Sequence, residues 1–274
     1  MHPDANSITG ALSNEVWELP PELGGFVDFF EKLPFCWIQV VNVEMAYTWL
    51  SRSPMVLSPE SGLSFPELGL TLSDFEIGSV MVWRHPVHAG MVRVSLTSSR
   101  HNEQVLVDAP AWAEEAISEL SRNVARVHLL GDVADGIERK FRKLCDCCSE
   151  RRRKTQLEGE GHPLYHLLSV AGSSEKGLRI DLEGELFCFS TRFYPLNHEQ
   201  EDGKMTLGAS RSSLTLDLSE FFRAVARIDT VEEARCSVID CYHSYGDLLL
   251  SVSQEGDDLY ELWTSMAKRA GSGG

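Results

Sequence analysis

The chain has 274 residues, enough for one large domain or two of ordinary size, and its 43% hydrophobic content excludes an intrinsically disordered chain. A net charge of −16, from 41 acidic against 25 basic residues, excludes a protein that coats DNA or an anionic membrane, because its mean field repels phosphate. Seven cysteines without regular spacing read as reduced thiols of a cytoplasmic protein, and neither a signal peptide nor an apolar run long enough to span a bilayer is visible.

Residues 1–14 are polar. Residues 22–33 read as a short helix, started after Pro20-Pro21 and stopped by Pro34. Residues 35–43, rich in β-branched and aromatic side chains, read as a buried strand, with residues 45–50 as either its continuation or a helix. The prolines and glycines of residues 51–77 predict loop with short extended pieces. Residues 79–83, 91–97 and 104–107 then alternate apolar and polar, separated by turn residues, which predicts an antiparallel meander with one face on a core.

From Pro110 the pattern predicts a helix over residues 111–128, with Glu114 and Glu115 at its positive end, a break near Gly131, and a second helix over 133–154. In the second, Ile137, Phe141, Leu144 and Cys148 form one apolar stripe. Residues 155–161, TQLEGEG, read as a linker. Beyond it the sequence predicts a helix over 162–170 and a hairpin of 178–182 with 186–194. A helix follows over 219–228, capped by Ser219, and then strands at 236–243 and 248–253. Residues 259–266 fit helix or strand, with strand slightly preferred. A faint repeat joins residues 91–120 to 204–225, each read as strand, turn, short strand ending in Asp, then helix.

Eight of the 25 basic residues fall within residues 139–154, RKFRKLCDCCSERRRK, which carry two acids and are therefore net +6, while the remainder, 17 basic against 39 acidic, is net −22. Lys and Arg at a helix C-terminus are favoured by its dipole, which accounts for Arg151, Arg152, Arg153 and Lys154 but not for Arg139, Lys140, Arg142 and Lys143. Neutralisation of the acidic body accounts for the latter most simply. Docking of an acidic protein partner comes next and nucleic acid last, because no exposed aromatics interleave the charges.

Cys145, Cys147 and Cys148 look like metal ligands, but on a regular helix Cys147 points away from the other two, so ordinary thiols are the better reading. His162 and His166 share a helical face at i, i+4, with no HExxH glutamate and no evident third ligand, and capping or surface roles are preferred. Cys241 and His243 alternate onto one side of a strand, where roots about 6.5–7 Å apart make a poor dyad and packing is the better account. The terminal Gly-Ser-Gly-Gly raises conjugation as a minor alternative. Motifs for dinucleotide, P-loop, serine-hydrolase and zinc-protease chemistry are absent.

The fold expected is α+β, antiparallel sheets packed against helices in two lobes: residues 1–154 ending in a long basic helix, residues 162–270, and a flexible tail, 271–274. The function expected is that of a cytoplasmic, non-enzymatic protein-binding subunit, adaptor or regulatory inhibitor of immunity type, part of a complex. It would have no cofactor, no metal and no membrane, and would bind another protein through Arg139, Lys140, Arg142, Lys143, Arg151, Arg152, Arg153 and Lys154. The alternative is an enzyme or metalloprotein with a Cys/His site around residues 145–166.

Overall fold

The computed structural model describes residues 14–42, 45–52, 54–57, 62–73, 76–100, 103–137, 162–201, 204–221, 223–243 and 246–271. They form an α+β fold with antiparallel sheets, as expected, in two compact units. The first holds the described residues within 14–42, 47–137 and 184–188; the second holds 45–46, 162–183 and 189–271.

The first unit is built from β1 (Glu15–Leu19), α1 (Phe26–Glu31), β2 (Phe35–Val41), β3 (Met45–Arg52), the hairpin β4 (Gly62–Phe65) and β5 (Leu70–Ser73), the meander β6 (Ile77–Arg84), β7 (Met91–Ser98) and β8 (Gln104–Pro110), α2 (Glu114–Arg122), β9 (Arg126–Leu129) and α3 (Leu130–Ile137). Its main strands are ordered β3-β2-β8-β7-β6-β1-β9. The period of two in these strands puts Cys36, Ile38 and Val40, then Val92, Val94 and Leu96, then Val105, Val107 and Ala109 on the buried side. Helix α1 buries Phe26, Phe29 and Phe30, with edge-to-face ring pairs Phe29–Phe30 at 5.1 Å and Phe30–Phe65 at 4.9 Å.

The second unit is built from α4 (Pro163–Gly172), the hairpin β10 (Leu178–Glu183) and β11 (Phe187–Phe193), the meander β12 (Asn197–Glu201), β13 (Lys204–Gly208) and β14 (Ser212–Asp217), the meander β15 (Arg223–Val231), β16 (Ala234–Tyr242) and β17 (Leu248–Glu255), and α5 (Asp258–Gly271). Its larger group of strands is ordered β15-β16-β17-β10-β11.

The two orders repeat one another. Each unit runs helix, first hairpin, second strand group, three-strand meander, helix, and in each the last meander strand pairs with the first strand of the first hairpin: β6-β7-β8-β2-β3 beside β15-β16-β17-β10-β11. The internal repeat is therefore real as topology but not where the sequence placed it. Residues 204–225 run β13, β14 and a short 3-10 turn into a strand, whereas β7, β8 and α2 correspond in order to β16, β17 and α5.

Three further expectations fail. The helix over 111–128 ends at Arg122, because residues 126–129 pair as β9 with β1, from Glu15↔Leu129 to Glu18↔Arg126. Among the described residues of 219–228 no α-helix forms; β15 pairs with β16 along its whole length, from Arg223↔Tyr242 to Val231↔Ala234. Residues 259–266 are helical, inside α5. The hairpin of β10 and β11 and the β6-β7-β8 meander stand where the sequence put them.

Candidate functional site

A cavity of about 900 Å³ opens in the first unit beside the β6–β7 turn. Its floor is the start of β2, with Phe35, Trp37 and Gln39, and its rim is the turn from His85 to Met91. Trp37 is 39% exposed and Val87 78%, and Phe35 packs at 6.1 Å from the ring of Trp112, itself 65% exposed. A second hollow of about 380 Å³ shares Phe35 and Trp37 and adds Pro34, Leu50 and Arg52. Large apolar rings left open to solvent beside a concavity are the usual mark of a ligand surface.

The turn is held from inside. Buried His85 accepts the backbone N–H groups of Val87 and His88 at its Nδ1, at 3.1 and 3.0 Å. Arg84 donates twice to the carbonyl of Ala89, at 3.0 and 2.9 Å, and the N–H of Met91 donates to the carbonyl of His88 at 2.9 Å. At the other ring nitrogen, Nε2 lies 2.7 Å from Arg93 Nη2 and 3.5 Å from Asp108 Oδ2. Burial, then the adjacent Arg93 guanidinium 2.7 Å away, holds this imidazole below its ordinary value and hence neutral. Arg93 and Asp108 are themselves a register pair across β7 and β8, joined bidentately at 2.6 and 2.7 Å. That pair leaves little net charge at the cavity base, though burial, with Asp108 adding to it, pushes the Cys36 thiol up to about 12.

His88 is the exception to this saturation. It is exposed, stacks at 4.7 Å on the ring of His85, and its ring nitrogens have no hydrogen-bond partner among the described residues. An imidazole presented at a fixed turn beside an aromatic floor is a ready ligand to a metal centre.

The residues singled out from sequence fare differently. Arg139, Lys140, Arg142, Lys143, Arg151, Arg152, Arg153 and Lys154 lie outside the described residues, as do Cys145, Cys147, Cys148 and residues 272–274. His162 is the N-cap of α4, accepting the N–H of Leu164 at Nδ1 and donating from Nε2 to the Phe221 carbonyl, both at 3.2 Å, so the capping role holds and no nitrogen is left for a metal. His166 is exposed on α4, edge-on to Tyr165. Cys241 is buried with its thiol pushed up by burial, so it packs rather than reacts. Among the described residues no three His, Cys, Asp or Glu side chains converge on a metal position, and no helix is long and apolar enough to cross a membrane. The cavity was missed because HPVHAGM reads simply as a turn; two imidazoles three apart between strands, next to FCWIQ, were the available signal.

A fold that repeats a helix-flanked antiparallel sheet, with an aromatic cavity at a meander turn, defines a class of known architecture. No family model and no curated protein matches the sequence. Among solved structures the chain is similar to holo-PhuS, described as a heme-binding protein from Pseudomonas aeruginosa, with a TM-score of 0.66 and 11% identity over 93% of this chain and 88% of that one. It is equally similar to ChuS from Escherichia coli O157:H7, described as a heme degrading enzyme, with a TM-score of 0.67 and 10% identity over 95% and 90%. Another structure of ChuS, described as an E. coli heme oxygenase, gives 0.66 and 9% over 96% and 92%. At such identities the shared feature is the fold.

This finding overturns the expectation of a protein-binding adaptor or regulatory, immunity-like inhibitor whose main partner is another protein. The proteins that share the fold along nine-tenths of the chain are described by a small-molecule ligand, heme. The sequence argument failed because segregated charge and missing motifs identify no partner.

Proposed function

We propose that the protein binds heme in the first-unit cavity, where His88 would ligate the iron. The observation that carries the reading is an exposed, unengaged imidazole fixed at the mouth of an aromatic cavity. The likeness of the whole chain to heme-binding and heme-degrading proteins supports it.

The donor set fits. Trp37 and Phe35 offer flat apolar surface to a planar macrocycle, Met91 adds a polarizable thioether, and Arg52 beside Trp37 and Leu50 offers a cation to an acidic side group. His85 and Arg84 are positioning residues, fixing the backbone that carries His88. Bound there, heme supplies an iron centre whose reactivity is set by axial ligand, local polarity and access. A cytoplasmic location belongs to the same proposal and is supported by the free thiols of Cys36, Cys188, Cys236 and Cys241.

Absorbance titration with hemin tests it. Wild-type protein is expected to saturate at one hemin per chain with a ligand-shifted Soret band. His88→Ala is expected to move the band and weaken binding at least tenfold. Trp37→Ala should weaken it by about 1–2 kcal/mol without moving the band. Absence of saturable binding by wild-type protein removes heme from the account; an unchanged spectrum in His88→Ala removes His88 as the ligand.

A further inference from the structure

The counterpart of this cavity in the second unit, beside the β15–β16 turn, has a different chemistry. It encloses about 460 Å³ and contains no histidine. Val231 and Ala234 close a two-residue hairpin turn whose central residues are Glu232 and Glu233, with φ of +48° and +69°. Both angles lie in the left-handed region that such turns normally fill with Asn-Gly and that an ordinary side chain disfavours. The closed hairpin holds two adjacent glutamates in that strained region.

A pair of arginines holds the side chain of the first of them. Arg179 uses its Nε on Asp181, at 2.9 and 3.1 Å, and turns Nη1 to Glu232 Oε1. Arg192 donates from Nη2 to Glu232 Oε2 at 2.7 Å. One guanidinium thus meets each oxygen of a single carboxylate. Beside the clamp, Tyr194 lies against Gly177, where an added Cβ would come within 2.5 Å of its ring, and Leu178 and Val231 complete an apolar side to the cavity.

We propose that Arg179 and Arg192 form a binding site for a small organic carboxylate with an apolar body, and that Glu232 occupies this site from within, so that ligand and turn compete for the same two guanidinium groups. Removing the Glu232 carboxylate leaves both arginines aimed at one vacated position. The site is independent of the heme reading.

Calorimetric titration of the full chain with benzoate, using benzamide as the uncharged control, tests this. Glu232→Gly suits the left-handed backbone and removes the internal carboxylate; Glu232→Gln removes the charge alone. Both are expected to bind benzoate at least tenfold more tightly than wild type, with benzamide weak throughout. Adding Arg192→Ala to either should abolish the gain. Equal benzoate affinity in wild type and in both variants, with cooperative melting retained, overturns the site. So does a gain that survives loss of Arg192, or sulfate binding Glu232→Gly as tightly as benzoate does.

Discussion

Glu103 is only 7% exposed, yet it carries an acid group into the first unit. Its two oxygens accept the backbone N–H groups of Glu185 and Leu186 at 3.0 and 2.6 Å, and Gly184 makes room, since a Cβ there would sit 2.4 Å from Oε1. Burial is the largest influence on this carboxyl and raises its pKa above 4.5, outweighing the hydrogen bonds that lower it. The folded protein therefore keeps the proton to higher pH than the unfolded chain. The stability Glu103 contributes is full below the ordinary carboxylate value and is lost as pH rises through the folded value. Measured as melting temperature, the advantage of wild type over Glu103→Gln should shrink between pH 4 and pH 7; a constant or growing advantage contradicts burial as the dominant cause. His85 acts on a neighbouring scale of a single side chain. His85→Ala frees the N–H groups of Val87 and His88, at a cost of about 1 kcal/mol. Because His88 keeps its identity but loses its fixed backbone, hemin affinity should fall while the Soret position of the residual complex stays put.

At the scale of elements, what was legible followed from period and what was missed followed from partners. Strands β2, β6, β7, β8, β10, β11, β16 and β17 were legible because their apolar residues alternate over stretches bounded by turn residues. Strand β15 was not: Phe221, Val225 and Ile228 fall at helical spacing, but Ala224, Ala226 and Ile228 also alternate, and pairing with β16 decides between two patterns the sequence satisfies equally. Strand β9 was read as helix for a similar reason, since its partner β1 is 110 residues away in sequence, as the His128–Glu18 contact at 2.8 Å shows. Helix α5 does carry a helical signature in its sequence: Leu259, Leu262, Trp263 and Met266 sit at i, i+3, i+4 and i+7, with Asp258 and Glu261 in the first turn. The site was less legible than the fold, because its parts come from β2, the β6–β7 turn and β8, and only pairing brings Trp37, Arg93 and Asp108 into one row. The β15–β16 turn gives a direct test of element-level strain. Glu233→Gly is expected to stabilise by up to about 1 kcal/mol, roughly 2–4 °C in melting temperature for a chain of this size. No gain would mean that the left-handed angle at Glu233 carries little strain.

On the scale of the molecule, the two repeats are not two consecutive pieces of chain. Residues 184–188, between β10 and β11, belong to the first unit, while residues 45–46 belong to the second. Leu186 and Phe187 are almost wholly buried, at 0% and 1% exposure, and Leu186 holds one of the two N–H groups that satisfy Glu103. A fragment of residues 1–161 keeps the whole β3-β2-β8-β7-β6-β1-β9 order yet lacks these side chains. Losing a buried Leu or Phe costs about 2–5 kcal/mol, against a typical stability of about 5–15 kcal/mol, and Glu103 is left buried without its donors. The fragment alone is therefore expected to show no cooperative thermal transition by circular dichroism, whereas co-expression with residues 162–274 should restore one near that of the intact chain. A fragment that melts cooperatively by itself, within a few degrees of the full protein, would show that the first unit does not depend on the segment it takes from the far half. In that case the repeat would consist of two separable domains, and hemin binding by residues 1–161 alone would become the direct measure of the His88 cavity.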